Sequence, residues 1–114
     1  PLYAQQEWAG SIVVDGTVFR GDHLFALRVQ GNSMKEVGIL NGDLAICEPR
    51  QYAANGEIVV ALINDEATVK YYYPERDYVR FQPANSQMAP ILVRASDFRP
   101  TMILGVVAGV FRRV

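Results

Sequence analysis

Lysine is rare in this chain, with two copies against nine arginines, and one of them, Lys70, lies inside a β-like run between Val69 and Tyr71. An arginine would carry a surface charge equally well, but it keeps its proton at ordinary pH. A lysine withdrawn from water can become a neutral base. The second residue with chemical promise is Ser33, in Gly31-Asn32-Ser33-Met34. Here a strand ending at Val29 runs through a glycine and presents a serine ahead of a short helical turn. Backbone N–H groups beside such a serine can face the negative charge that develops during acyl transfer. The hydroxyl itself is almost fully protonated at neutral pH, so it needs a base within hydrogen-bond reach. Ser33 as nucleophile and Lys70 as general base form the candidate pair. Each has an ordinary alternative when taken alone: Ser33 as a helix N-cap, and Lys70 as a lysine snorkelling from a half-exposed strand.

Other chemistries have less support. Ser33 is followed by Met34-Lys35, so the glycine of a nucleophile elbow is missing, and no Ser-x-x-Lys occurs. Lys35, two residues beyond Ser33 in a helical turn, is expected to point towards water. His23, in Gly21-Asp22-His23, reads as a loop residue, although a Ser-His arrangement stays open. One cysteine, Cys47, cannot form an internal disulfide, and with a lone histidine it cannot build the usual zinc ligand sets. Cys47 falls in an alternating run and reads as a small buried hydrophobe. Neither a metal nor another cofactor is expected.

The elements that must position Ser33 and Lys70 read as mainly β. Short runs rich in β-branched and aromatic residues are separated by Gly, Asn, Asp and Pro at close intervals. Strands are predicted at 11–14, ahead of an Asp15-Gly16 turn, and at 24–29, 44–48, 57–63, 67–73, 78–82, 91–93 and 103–111. The runs at 57–63 and 67–73, joined by Asn64-Asp65-Glu66, predict a hairpin. The one helical turn expected is 34–38, directly after Ser33. Residues 1–10 carry little pattern and read as an arm, leaving 11–114 as one domain with its own core.

Composition bounds the partners. A formal net charge of -1, with arginines scattered from Arg20 to Arg113, lacks the basic stripe that phosphate neutralisation requires, so tight DNA binding by this chain alone is not expected. The longest apolar run, 102–111, is about half of the roughly 20 residues a membrane-spanning helix needs. No signal-peptide pattern opens the chain, and a cytoplasmic protein with no membrane partner is the expectation.

Four ordered motifs now stand at fitting spacing: Leu27-Arg28-Val29-Gln30-Gly31-Asn32-Ser33-Met34, Gly38-Ile39-Leu40-Asn41-Gly42-Asp43, Asn55-Gly56-Glu57-Ile58-Val59-Val60-Ala61, and Asp65-Glu66-Ala67-Thr68-Val69-Lys70. Together they resemble the S24 peptidase family of Ser-Lys self-cleaving repressors, over nearly the whole chain. Within that family Pro1-Leu2-Tyr3-Ala4-Gln5-Gln6, Pro83-Ala84-Asn85-Ser86 and Pro90-Ile91 resemble the LexA-type branch. The resemblance implies a half-open, barrel-like β domain with a catalytic cleft. In it the serine matching Ser33 attacks an Ala-Gly bond of its own chain and the lysine matching Lys70 takes the proton. Backbone amides of Asn32 and Ser33 would hold the oxyanion.

The resemblance further implies a homodimer through the C-terminal strand, stimulation by a RecA filament on single-stranded DNA, and operator DNA bound only through a winged helix-turn-helix domain preceding Pro1. The scissile bond is also expected before Pro1, so the chain reads as a truncated or already cleaved piece. Ala9-Gly10 repeats the dipeptide where the family is not cleaved. Tyr71 stands where the family often has a basic residue, which leaves the rim of the site open. A UmuD-like polymerase accessory protein, or a dimerisation module without catalysis, would carry many of the same features.

Overall fold

The computed structural model describes residues 23–114. The predicted arm at 1–10 with its Ala9-Gly10 dipeptide, the strand at 11–14 and the Asp15-Gly16 turn lie outside the described residues. Within them the predicted runs become seven strands: β1 Phe25–Arg28, β2 Leu44–Pro49, β3 Ile58–Ile63, β4 Glu66–Pro74, β5 Tyr78–Gln82, β6 Ile91–Arg94 and β7 Thr101–Phe111. A single 3-10 turn, Lys35–Val37, follows Ser33 and ends on Gly38 in the left-handed conformation. All seven strands pair antiparallel in one sheet of order β1-β2-β7-β3-β4-β5-β6 that curls into a half-barrel. Each predicted run in this region is a strand within one or two residues of its expected limits.

The sheet is organised around β3. It stands in the middle of the order, and its residues from Val59 to Ile63 are all buried, which is why the sequence shows a continuous apolar run there instead of alternation. One face of the sheet joins Val60 to Leu27, Val29, Met34, Cys47 and Val69; the other joins Val59 and Ala61 to Phe81 and Val106. The β3–β4 hairpin closes through Asn64 and Asp65, at φ 51° and 64°. Asn and Asp are the non-glycine residues that accept such a turn, and its twist matches that of the strands it joins. The tight turn fixes the register in which Lys70 opposes Val59.

The last strand returns to the middle of the sheet. β7 pairs with β3 from Thr101 to Val106 and with β2 from Gly105 to Phe111. A terminal apolar run of this length can stand at the edge of a sheet. In the structure it is an interior strand over its first half, and among the described residues only Val107–Phe111 lacks a paired strand on the side that β3 has left. Both pairings are broken by a bulge, which leaves Ala108 unmatched against β2 and Leu104 unmatched against β3. Bulges bend a strand and increase its twist, so this pair is a local cause of the sheet's curvature. Among the described residues no helix is long and apolar enough to cross a membrane.

Gly105 sits between the two bulges under tight packing. A Cβ built on it would lie 2.6 Å from the Glu48 carbonyl oxygen and 2.9 Å from the Phe25 ring. The carbonyl belongs to a paired strand and cannot move aside cheaply. Gly105→Ala is expected to destabilise the domain by about 1–3 kcal/mol through overpacking, read as a lower urea midpoint with unchanged slope. An unchanged midpoint would contradict this packing.

Candidate active site

Ser33 is delivered by a loop whose backbone is held from three directions. Below it, the end of β1 is tied to the returning chain by Val29 N–H to Asp43 O and Gly42 N–H to Val29 O, both 2.8 Å. Gly31 takes φ 87°, a left-handed conformation costly for other residues, and its N–H donates to Asn41 Oδ1 at 2.8 Å. Behind it, Met34 is 1% exposed and plugs the core, accepting the Ala84 N–H on its sulfur. The segment after β5 then braces the turn: Glu36 N–H donates to Ala84 O at 2.8 Å, both Ser86 N–H and Ser86 Oγ donate to Glu36 Oε2, and Asn85 Nδ2 donates to Asn32 O at 2.9 Å. The two Ser86 bonds hold the Glu36 carboxyl below its usual range.

Lys70 arrives from β4. It is 6% exposed, so it does not snorkel, and its Nζ lies 3.0 Å from Ser33 Oγ. Ser33 in turn is not the N-cap of the 3-10 turn. That position falls to Met34, and no side-chain cap bond is made. The ordinary alternative for each residue therefore fails on its own geometry. Burial disfavours the charged ammonium and pushes the Lys70 pKa down, while the Glu66 carboxylate on the same strand opposes the shift.

Thr68 was not singled out by the sequence. It lies two residues before Lys70, hence on the same face of β4, and its Oγ1 accepts a hydrogen bond from Lys70 Nζ. A neutral amine has two N–H bonds and one lone pair, so an N–H committed to Thr68 leaves the lone pair free for the serine hydroxyl. The period-two spacing carried that signal. The amides of Asn32 and Ser33 donate to no protein acceptor among the described residues, and both residues line the cleft. This cleft, of about 670 Å³, runs over Ser33, Lys70, Thr68, Ile63, Met88 and Arg99 among others.

The remaining candidates lie apart. Lys35 and His23 are exposed and line no part of the cleft. Cys47 is fully buried, and burial pushes its thiol up to about 12, which keeps it protonated. Among the described residues no group of three His, Cys, Asp or Glu side chains gathers where a metal could bind.

A feature invisible in the sequence ties the chain's end to the serine loop. Asp43 is 1% exposed, and Arg112, just past β7, clasps it through Nε to Oδ1 and NH2 to Oδ2, both 2.7 Å. The same guanidinium reaches Gly38 O at 2.8 Å, and Leu40 N–H also donates to Asp43 Oδ2. The guanidinium holds the Asp43 carboxyl below its ordinary value despite burial.

The profile of the Peptidase S24-like family matches residues 1–108. The chain belongs to the S24 peptidase family. Among curated relatives, a LexA repressor of Sorangium cellulosum is 55% identical over 115 residues, covering 100% of this chain and 50% of the relative. One from Myxococcus xanthus is 51% identical over 117 residues, covering 100% and 53%, and one from Geotalea uraniireducens is 48% identical, covering 96% and 54%. The chain thus spans about half the length of the curated relatives it matches. The half-barrel is the fold expected of this S24 domain.

The lowered Lys70 pKa has a consequence for stability. Between that folded value and the unfolded value of about 10.4, the unfolded chain binds more protons, so stability is lowest below the folded pKa and rises with pH through the window. In Lys70→Met this contribution is missing. Its urea midpoint is expected to exceed the wild type's most at about pH 7, with the gap narrowing towards about pH 10.5. A gap independent of pH would show that Lys70 titrates alike in both states.

Proposed function

We propose that this chain is the self-cleaving protease and dimerisation domain of a LexA-type transcriptional repressor of the DNA-damage (SOS) response, with Ser33 as nucleophile and Lys70 as general base. The observation that carries the reading is the 3.0 Å approach of a buried lysine nitrogen to a serine oxygen at the floor of an open cleft. Neutral Lys70 Nζ accepts the Ser33 hydroxyl proton as Oγ bonds to the carbonyl carbon of an Ala-Gly peptide. The tetrahedral oxyanion is received by the N–H groups of Asn32 and Ser33. Lys70 then returns the proton to the departing amine, leaving an ester on Ser33 that water hydrolyses with Lys70 again as base.

The finer parts of the reading concern the longer protein. Its Ala-Gly bond and operator-binding domain would precede Pro1, and a RecA filament on single-stranded DNA would stimulate the cleavage. A homodimer through β7 is supported by the side of Val107–Phe111 that no strand among the described residues covers, where Val110 and Phe111 are 38% and 47% exposed. Two copies of such an edge can pair antiparallel across a two-fold axis.

The test supplies this chain with a separate polypeptide carrying an Ala-Gly cleavage segment. Cleavage is expected to be slow, because the effective molarity of a tethered substrate is lost. The rate should rise with pH and level off once Lys70 is deprotonated. Ser33→Ala and Lys70→Arg should each lower it by at least about a thousandfold, whereas Lys35→Arg and His23→Gln should not. Full activity in Lys70→Arg, or a rise centred near neutrality and lost in His23→Gln, would overturn the assignment.

A further inference from the structure

We propose that Asn85 is a positioning residue for the oxyanion site, acting through the Asn32–Ser33 peptide; the inference rests on the Ser33–Lys70 reading above. A trans peptide is planar, so its C=O and N–H point in opposite directions, and no cis bond occurs among the described residues. Whatever holds the Asn32 carbonyl therefore aims the Ser33 N–H. The Asn32 oxygen accepts Asn85 Nδ2 at 2.9 Å and, more distantly, the Lys35 N–H of the turn at 3.3 Å. Asn85 is itself 7% exposed but does not line the cleft, whereas Asn32 and Ser33 do. It stands behind the loop, so the opposite end of that peptide, the Ser33 N–H, faces the cleft side.

The side chain of Asn85 is oriented from both ends. Its Oδ1 accepts the Gln87 N–H at 2.9 Å, which fixes the amide so that the Nδ2 donor faces Asn32. Its neighbours are pinned as well, Ala84 by Glu36 N–H and Ser86 by the Glu36 carboxylate. A donor set rigidly before the reaction needs no reorganisation when charge develops, and such preorganisation is the source of oxyanion stabilisation. Asn85 touches neither substrate nor Lys70 in this arrangement. Its loss should lower transition-state stabilisation while leaving ground-state binding and the proton affinity of Lys70 unaltered.

The experiment measures cleavage of the separate Ala-Gly polypeptide by Asn85→Ala and Asn85→Asp variants of this chain, beside wild type and Ser33→Ala. The expected result is a fall in kcat of about 10- to 100-fold with KM unchanged, and in Asn85→Ala a rate that rises at the same pH as in wild type. Asn85→Asp should be the more impaired, because a carboxylate oxygen would oppose the Asn32 carbonyl. Unimpaired kcat, or a rise in KM alone, would overturn the inference. A wild-type measurement covers the case in which a variant fails to fold: a peptide boronic acid bonded to Ser33 Oγ should move the Ser33 amide proton downfield, and an unmoved amide would equally overturn it. Cleavage that persists in Ser33→Ala removes the dyad reading and this inference together. Ser33-dependent cleavage indifferent to Asn85 removes the inference alone.

Discussion

The structure depends on a lysine nitrogen being kept from water beside a hydroxyl. A charged ammonium in such a place is unfavourable, and the group answers by binding its proton less tightly. In a lysine at the surface the same nitrogen would hold its proton more tightly and offer the serine its lone pair only at higher pH. The fold supplies the dry position by placing Lys70 opposite Val59, in the most buried strand of the sheet, and it supplies the orientation through Thr68 on the same face. An arginine at this position could not become neutral, since its guanidinium does not give up a proton in this range.

The serine side of the pair is built differently. Its loop belongs to no strand, and its rigidity comes from cross-ties to three distant parts of the chain: the Asn41–Asp43 segment, the Ala84–Ser86 segment and Arg112. Asp43 is the buried polar centre of this set. A carboxylate at 1% exposure is tolerable only because its oxygens are paired with the guanidinium and the Leu40 amide, and removing the partner would strand a charge. Arg112, just after β7, and the segment that follows Ser33 are thereby joined by a charged clasp. Arg112 thus holds the chain that follows β7 against Asp43 and the Gly38 carbonyl at the end of the turn after Ser33.

Much of this was legible in the residues. Runs rich in β-branched and aromatic residues, bounded by turn residues, marked the strands from β1 to β7, and Asn64-Asp65 announced the hairpin that sets the register of Lys70. The oddity of a lysine inside a strand in an arginine-rich chain singled out Lys70, the glycine-serine turn singled out Ser33, and the structure brings the two side chains to 3.0 Å. What stayed hidden required tertiary contact. Asp43 in an Asn-Gly-Asp turn reads as a surface residue until Arg112, sixty-nine positions away, is seen across it. Asn85 in a polar loop gives no sign that it will reach back to Asn32. The place of β7 inside the sheet was equally hidden, because an apolar run of that length suits an edge strand and an interior one alike, and only the pairing of its halves with β3 and β2 decides between them.

The claim on which the account stands is that Lys70 can be neutral where it sits. With two lysines in the chain, side-chain labelling with a lysine isotope gives two NMR signals, and Lys35→Arg assigns them by leaving one. Following the Lys70 signal through an alkaline titration of the folded chain measures its pKa directly. The account predicts a midpoint below the ordinary lysine value of about 10.4, because burial outweighs the nearby Glu66 carboxylate. A midpoint at or above that value would mean that the nitrogen beside Ser33 is an ammonium at neutral pH, and would contradict its role as the base.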